Sequence, residues 1–457
     1  MAATSPKKPR RPPSVGRPDA ARTAALRLLY QIEVEGSFLD PLLEQLDQGD
    51  LDPRDRRFVR QLVFGCLRWR RRLDWIAGQF TRRPVDSLSP WVLQILRLGL
   101  YQLHWLDRVP PHAVVDTAVE LTKQFVHRGA AGMVNAVLRR SLREGDRIPY
   151  PSRQRDLVAY LAVFHSHPEW LVTRWLERWG ESKTEALLQA NNAPAPLYLR
   201  LNESQGGGDS LDIEGLELKA AGPLPGYYAA ADGESFFRSS AFATGRFAIQ
   251  DINAGLPAAL LDPQPGERVL DLCSAPGGKT VQLRAAVGAG GCVVAADLSC
   301  ERLRRVRENA ARLHLGNISL LVQDARIPGL ASGLSFPRIL VDVPCSATGT
   351  LGRNPDARWS RDPVQLPHLL DRQREILSRA FPLLSPGGAL VYSTCSLERE
   401  ENDDLVERFL RETPGAELEP AERFFPDRSW AARFIQTLPG REPGDGIFAA
   451  RIRKRGI

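Results

Sequence analysis

Three stretches of the chain end in residues that could do chemistry. Asp342-Val343-Pro344-Cys345 closes one apolar run, and Ser393-Thr394-Cys395 closes another. The third, Val269 to Leu272, leads into Cys273, Ser274, Ala275, Pro276, Gly277, Gly278 and Lys279, where a helical pattern begins. Strand, glycine turn and helix N-terminus in that order make a nucleotide cradle: glycines let backbone N–H groups approach a ligand, and the helix end favours negative charge. A P-loop would need glycine where Cys273 stands, and the dinucleotide fingerprint G-x-G-x-x-G is absent. What is left is a cradle for a nucleoside-bearing ligand without a strong phosphate demand.

The elements that must position these residues alternate. Strand-like runs Val293–Ala296, Leu320–Val322, Ile339–Val341 and Ala389–Tyr392 follow the glycine turn, and helix-period segments such as Arg302–Leu313 and Leu366–Leu384 separate them. This pattern predicts a parallel, doubly wound α/β sheet that binds ligands beyond its strands' carboxyl ends. At those ends stand Asp297, Asp324, Asp342, Cys345 and Cys395. Asp297, about 20 residues past the turn, is placed where an acid can pair ribose hydroxyls.

The chain has 457 residues, enough for about three domains at ~150 residues each. It contains no long apolar run and no signal-peptide pattern, so a soluble cytoplasmic protein is expected. Six cysteines without C-x-x-C, and seven histidines off zinc spacing, predict reduced, separate thiols and no metal. His165-Ser166-His167 reads as a surface loop. Charge is uneven: Met1 to Asp146 holds 24 Lys+Arg against 16 Asp+Glu, and the remainder is close to balanced. A basic first third suits a polyanion, most simply nucleic acid.

From the start, residues 1–18 are Pro-rich and basic and predict a disordered tail. Residues 19–146 carry helix-period apolar residues at Ala21–Ile32, Phe58–Leu67, Val92–Trp105, Ala113–Val126 and Met133–Leu142. Ten arginines between Arg54 and Arg83 crowd around Trp69 and Trp75, a composition suited to phosphate contact. Cys66 lies in an apolar helical run and reads as an inert core thiol. Residues 151–240 read as a small α+β module containing a strand at Leu197–Leu201 and a Gln205–Gly208 loop. Residues 241–457 form the sheet domain, reached through Phe242 to Asp251.

On the stretches Cys273–Lys279, Asp342–Thr350, Arg353–Asp356, Ser393–Ser396 and Asp445-Gly446, the chain resembles bacterial small-subunit rRNA cytosine-C5 methyltransferases of the RsmB (Fmu/Sun) type, within the NOL1/NOP2/Sun group. The helical part, with Met133–Arg139 as its most telling piece, is similar to the NusB-like RNA-binding domain of that subgroup. The resemblance implies a multidomain protein: an all-α NusB-like domain, a small α+β module and a Rossmann-like class I methyltransferase domain. It implies S-adenosylmethionine as cofactor, 16S rRNA as partner, and neither metal nor membrane; a monomer is expected.

It also implies roles. Carbon 5 of cytosine is a poor nucleophile until a thiolate adds at carbon 6. In the RNA enzymes the Thr-Cys-Ser cysteine attacks, which corresponds to Cys395, and the Pro-Cys-Ser cysteine, Cys345, helps release the product. The swapped assignment, as in DNA cytosine enzymes, stays open. Asp342 would contact nitrogen 3 of the base, and Cys273–Lys279, Asp297, Asp324 and Asp342 would surround the cofactor. Cys292 and Cys300 lack such flanks and read as structural. Two alternatives remain: the same chemistry on tRNA or 23S rRNA, and a non-catalytic NusB-like RNA-binding or antitermination protein.

Overall fold

The computed structural model describes residues 19–202, 218–230, 236–237, 239–330 and 333–456. The expected tail and the Gln205–Gly208 loop lie outside the described residues. The chain divides into two compact units between Arg174 and Trp175.

The first unit is helical: α1 Ala20–Glu33, α2 Leu39–Gln48, α3 Pro53–Gly78, α4 Pro90–Trp105, α5 Pro111–Phe125, α6 Arg128–Glu144 and α7 Leu157–Phe164. Their starts are written locally. Asp19, Asp52, Ser89 and Asp156 accept hydrogen bonds from first-turn N–H groups, and Pro53, Pro90 and Pro111 occupy first positions, where no N–H is needed. Leu62, Val63, Ile95, Leu96, Val134 and Leu138 are fully buried in one core. α2 went unread in the sequence although Leu39, Leu42, Leu43 and Leu46 repeat at helical spacing and are buried. His165-Ser166-His167 is not a surface loop. It is a buried turn closing α7, in which the His167 N–H donates to Ala162 O (2.8 Å) and Arg71 N–H donates to Ser166 Oγ (3.1 Å).

The arginine crowd divides. Arg72 sits over the rings of Phe164 (4.3 Å) and Tyr150 (4.9 Å), and Arg70 pairs with Glu33 (3.1 Å). These arginines build the fold. Arg97, inside α4 and only 4% exposed, is gripped by Asp74 (2.6 Å) and Glu33 (3.2 Å). Removing one partner of a buried pair strands a charge, so Asp74→Ala is expected to destabilise the first unit by about 3 kcal/mol, read from its urea midpoint.

The second unit holds two sheets. The smaller is antiparallel, order β2-β3-β1-β4, from β1 Leu197–Leu201, β2 Leu218–Ala220, β3 Tyr227–Ala230 and β4 Phe247–Ile249. Its fourth strand falls in the stretch read as a connection, since Phe247 and Ala248 are buried against the sheet. The larger has order β10-β12-β9-β8-β5-β6-β7, from β5 Arg268–Leu272, β6 Cys292–Asp297, β7 Ile318–Val322, β8 Phe336–Asp342, β9 Leu384–Thr394, β10 Ala416–Glu419 and β12 Phe448–Lys454, with the two-residue β11 Ile435–Gln436 beside β12. The five runs read from the sequence are its parallel strands, β5 to β9. The expectation of an all-parallel sheet fails at one edge, where β12 and β10 run antiparallel. Arginines within Phe448–Lys454 disguised that strand. Arg451 is buried there because Glu419 (2.7 Å) and the Leu260 carbonyl (2.8 Å) satisfy it. Strand order reverses between β5 and β8, and such a switch point opens a ligand crevice beyond the strand ends. Among the described residues no helix is long and apolar enough to cross a membrane.

Candidate active site

The register of two neighbouring strands builds the centre. β8 and β9 run parallel with Asp342 opposite Ser393. Three residues beyond Asp342 and two beyond Ser393 stand Cys345 and Cys395, and their sulfurs lie 3.4 Å apart. The Cys345 thiol is raised well above its usual range by its hydrogen bond with Cys395, by burial, and by the negative charge of Cys395 and Glu401. Two thiols this close cannot both ionise cheaply.

Lys279, in the first turn of the helix Gly278–Ala286, reaches across the strand order reversal to Asp342 (Nζ–Oδ2 2.7 Å), whose other oxygen accepts from Ser393 Oγ (2.7 Å). Burial alone would lower the lysine, but Asp342 outweighs it, with help from Cys395 and Asp271, and the ammonium is raised. Positive charge therefore faces the cysteine pair.

The turn after β5 is tightly drawn. Gly277 has φ 104°, and a Cβ there would come within 3.0 Å of Val306 Cα, so glycine is required on both counts. Asp297 is buried at the end of β6, where it accepts from the N–H groups of Ala275 (3.2 Å) and Ser299 (3.0 Å) and so pins the turn. Asp324 is held by Arg326 through contacts of 2.6 and 3.1 Å, which keep its carboxyl below the ordinary range. Cys273 is pushed up to about 12 by burial, aided by Asp297 and Asp342. Two buried oxygens in the turn, Ser274 Oγ and Asp271 Oδ1, have no protein partner. Unsatisfied buried polar atoms are costly, and a polar ligand in the cradle would relieve them. Among the described residues no group of three or more His, Cys, Asp or Glu could hold a metal.

Several residues that shape the site had no role assigned to them from the sequence. Gly349 packs between the two loops: its N–H donates to Cys395 O (2.9 Å), its carbonyl accepts from Gly446 N–H (2.8 Å), and a Cβ would meet Gly446 O at 2.2 Å. Arg353 bridges Asp251 (2.7 Å) and Asp445 (2.9 Å), which gives the Asp445-Gly446 stretch a structural reason. Glu398 accepts from Trp175 Nε1 (3.2 Å), and Asp403 accepts from Arg178 (3.0 Å), bracing the chain just past Cys395. None of these contacts has a local sequence signal. Cys66 is fully buried and its thiol raised by burial, as an inert core thiol should be. Cys300, in contrast, is exposed at a helix start.

Burial pushes Asp271 up to about 7 despite the hydrogen bond from Thr280 (2.6 Å). A folded-state value above the unfolded one means the native protein holds the extra proton, so this group's contribution to stability is fully present below about pH 4 and is lost as pH rises towards 7, by at most about 1.4 kcal/mol per pH unit. Asp271→Asn is expected to flatten that slope in denaturant titrations at pH 5 and pH 7.

Comparison with known proteins agrees with this architecture along the chain. A family described as 16S rRNA methyltransferase RsmB/F matches residues 258–453, the NusB family matches 19–143, and an RsmF/B-like ferredoxin-like domain matches 167–212. The probable ribosomal RNA small subunit methyltransferase B of Bacillus subtilis is 34% identical over 96% of this chain and 99% of its own. The ribosomal RNA small subunit methyltransferase B of Pseudomonas putida is 38% identical over 86% of this chain and 90% of its own. Among solved structures, PH0851 is 25% identical with a TM-score of 0.78, covering 98% of this chain and 100% of that one. A methyltransferase homologue from Pyrococcus horikoshii is 27% identical with a TM-score of 0.56, covering 65% of this chain and 99% of that one. The chain belongs to the RsmB family of small-subunit rRNA methyltransferases and is an RNA methyltransferase with a NusB-like domain ahead of its catalytic sheet.

Proposed function

We propose that the protein methylates carbon 5 of a cytosine in 16S rRNA through a transient bond between Cys395 Sγ and carbon 6. The observation that carries this reading is the 3.4 Å approach of Cys345 and Cys395 beside the Lys279–Asp342 pair. Cys395 adds to the ring, which makes carbon 5 nucleophilic. Cys395 takes the attacking role by the resemblance of its Thr-Cys-Ser motif, and Cys345, 3.4 Å away, assists when the carbon-5 proton departs and Cys395 is expelled. Asp342 and Lys279 hold charge where the ring's nitrogen 3 edge would lie, and stabilise the adduct.

S-adenosylmethionine, when bound in the turn after β5, supplies the electrophilic methyl. Ser274 and Asp271 offer their unsatisfied oxygens to its polar end, and Asp297 and Asp324 its ribose and adenine partners. For Asp324 that role requires it to share or leave Arg326.

A cytosine in a hairpin loop reaches such a site cheaply, whereas a paired base costs a few kcal/mol to flip. Residues 19–146 are proposed to grip the RNA, with 151–240 as an accessory module and 241–457 as the catalytic domain. The first unit carries an open cleft of about 880 Å³ whose lining sets Arg54, Arg57, Arg108, Phe58 and Trp105 beside Asp55 and Asp107, and the guanidinium and aromatic groups suit phosphates and unstacked bases. Acting on ribosomal RNA places the enzyme in the cytoplasm.

Cys395→Ala is expected to abolish transfer of tritiated methyl to deproteinised 16S rRNA, while Cys345→Ala accumulates a covalent protein–RNA species visible on a denaturing gel. The reverse pattern would exchange the two roles. Bisulfite sequencing is expected to place the mark in 16S rRNA; a mark only in tRNA or 23S rRNA would overturn the substrate. Arg57→Glu with Arg108→Glu should weaken RNA binding about tenfold at moderate salt and reduce the log–log salt slope by roughly 2, leaving kcat at saturating RNA unchanged.

A further inference from the structure

Each reacting cysteine is followed by a serine, Ser346 and Ser396, and one side chain holds both. Glu401, in the turn Arg399–Glu401, is fully buried. Its Oε1 accepts from the Ser346 N–H (2.9 Å) and Gln373 Nε2 (2.8 Å). Its Oε2 accepts from both hydroxyls, Ser346 Oγ and Ser396 Oγ, which also lie 2.9 Å from each other. Gln373 extends the tie by donating to Pro344 O (2.9 Å), on the other side of Cys345.

A buried carboxylate is expensive to desolvate and is retained only where donors fill its lone pairs. Here four donors do so, and three of them belong to the serines beside the two sulfurs. An amide at the same place would either put an N–H donor where Oε2 now accepts from two hydroxyls or turn that donor onto the Ser346 N–H and Gln373. We infer that Glu401 is a positioning residue whose carboxylate ties the two cysteine loops together and sets the separation of the two sulfurs. The inference rests on Cys345 and Cys395 being the reacting pair. The same negative charge opposes ionisation of Cys345, consistent with the division of labour between the thiols.

The test uses the full-length protein in two assays. Diamide oxidises two neighbouring thiols to a disulfide, taking up their two electrons and two protons, and peptide mapping by mass spectrometry follows the Cys345–Cys395 bond. Methyl transfer is measured in parallel. With oxidation rates taken from a pH series and compared at full thiolate, which removes the effect of the lost charge, Glu401→Gln is expected to slow disulfide formation severalfold and to lower kcat about 100-fold with little change in the KM for RNA, because an ångström of misplacement costs about that much. Ser346→Ala with Ser396→Ala should do the same, and adding Glu401→Gln to that pair should cost little more, since all three act through one tie. If Glu401→Gln fails to fold by circular dichroism, the serine pair carries the test alone. A folded variant that forms the disulfide at the wild-type rate overturns the inference, whatever its turnover. A wild-type protein that transfers no methyl, while the variant still cross-links slowly, would refute the proposed chemistry and leave the tie standing.

Discussion

The register between β8 and β9 is the constraint on which the catalytic unit depends. Side chains alternate faces along a strand, so a slip of one residue would turn Asp342 or Ser393 away from its partner and separate the cysteine loops. With Asp342 opposite Ser393, both loops leave the sheet at the same edge, and the sulfurs meet at 3.4 Å. Everything around them resists relaxation of that edge. Gly349 is pressed between the Cys395 and Gly446 backbones, Arg353 ties Asp251 to Asp445, and Asn402 accepts from Thr394 Oγ1 (2.6 Å) and donates to Ser396 O (2.8 Å). A covalent mechanism needs such stiffness, because the attacking sulfur and the group that assists elimination must both stay on one ring.

The strand order reversal between β5 and β8 adds the second half of the chemistry. It places the glycine turn next to β8, so Lys279 from that turn can reach Asp342 at the cysteine edge. One ion pair thus links the glycine turn, the proposed cradle for the methyl donor, to the edge where the base is proposed to lie. The helical unit has a separate logic. Its arginines are partly consumed in building it, as Arg97 and Arg72 illustrate, and partly arrayed around an open cleft.

Much of this was legible in the residues. Apolar runs ending in Asp297, Asp342 and Cys395 announced parallel strands, and Gly277-Gly278 announced the turn between strand and helix. Helix-period apolar residues marked α1, α4, α5 and α6, but only Phe58–Leu67 of the much longer α3. What escaped were contacts between residues distant in sequence. Glu401 stands among the mostly charged residues Arg399 to Asp404 and has no motif of its own; only the fold buries it against Ser346 and Gln373. β12 hid behind its arginines, because a buried Arg451 is satisfied by Glu419, 32 residues away. The His165–His167 turn read as surface because polar residues usually are, and its burial depends on backbone bonds that composition does not reveal. The arginine crowd of α3 looked uniform, and only packing separates structural guanidinium groups from those lining the cleft.

The most direct measurement is identification of the sulfur that bonds to RNA. With 16S rRNA carrying 5-fluorocytosine, the carbon-5 substituent cannot leave as a proton does, and the adduct persists through digestion to peptides. The account predicts a nucleotide attached to Cys395, formed only when S-adenosylmethionine is present for turnover. A nucleotide on Cys345, or a methylated RNA with no protein-bound species, would contradict it.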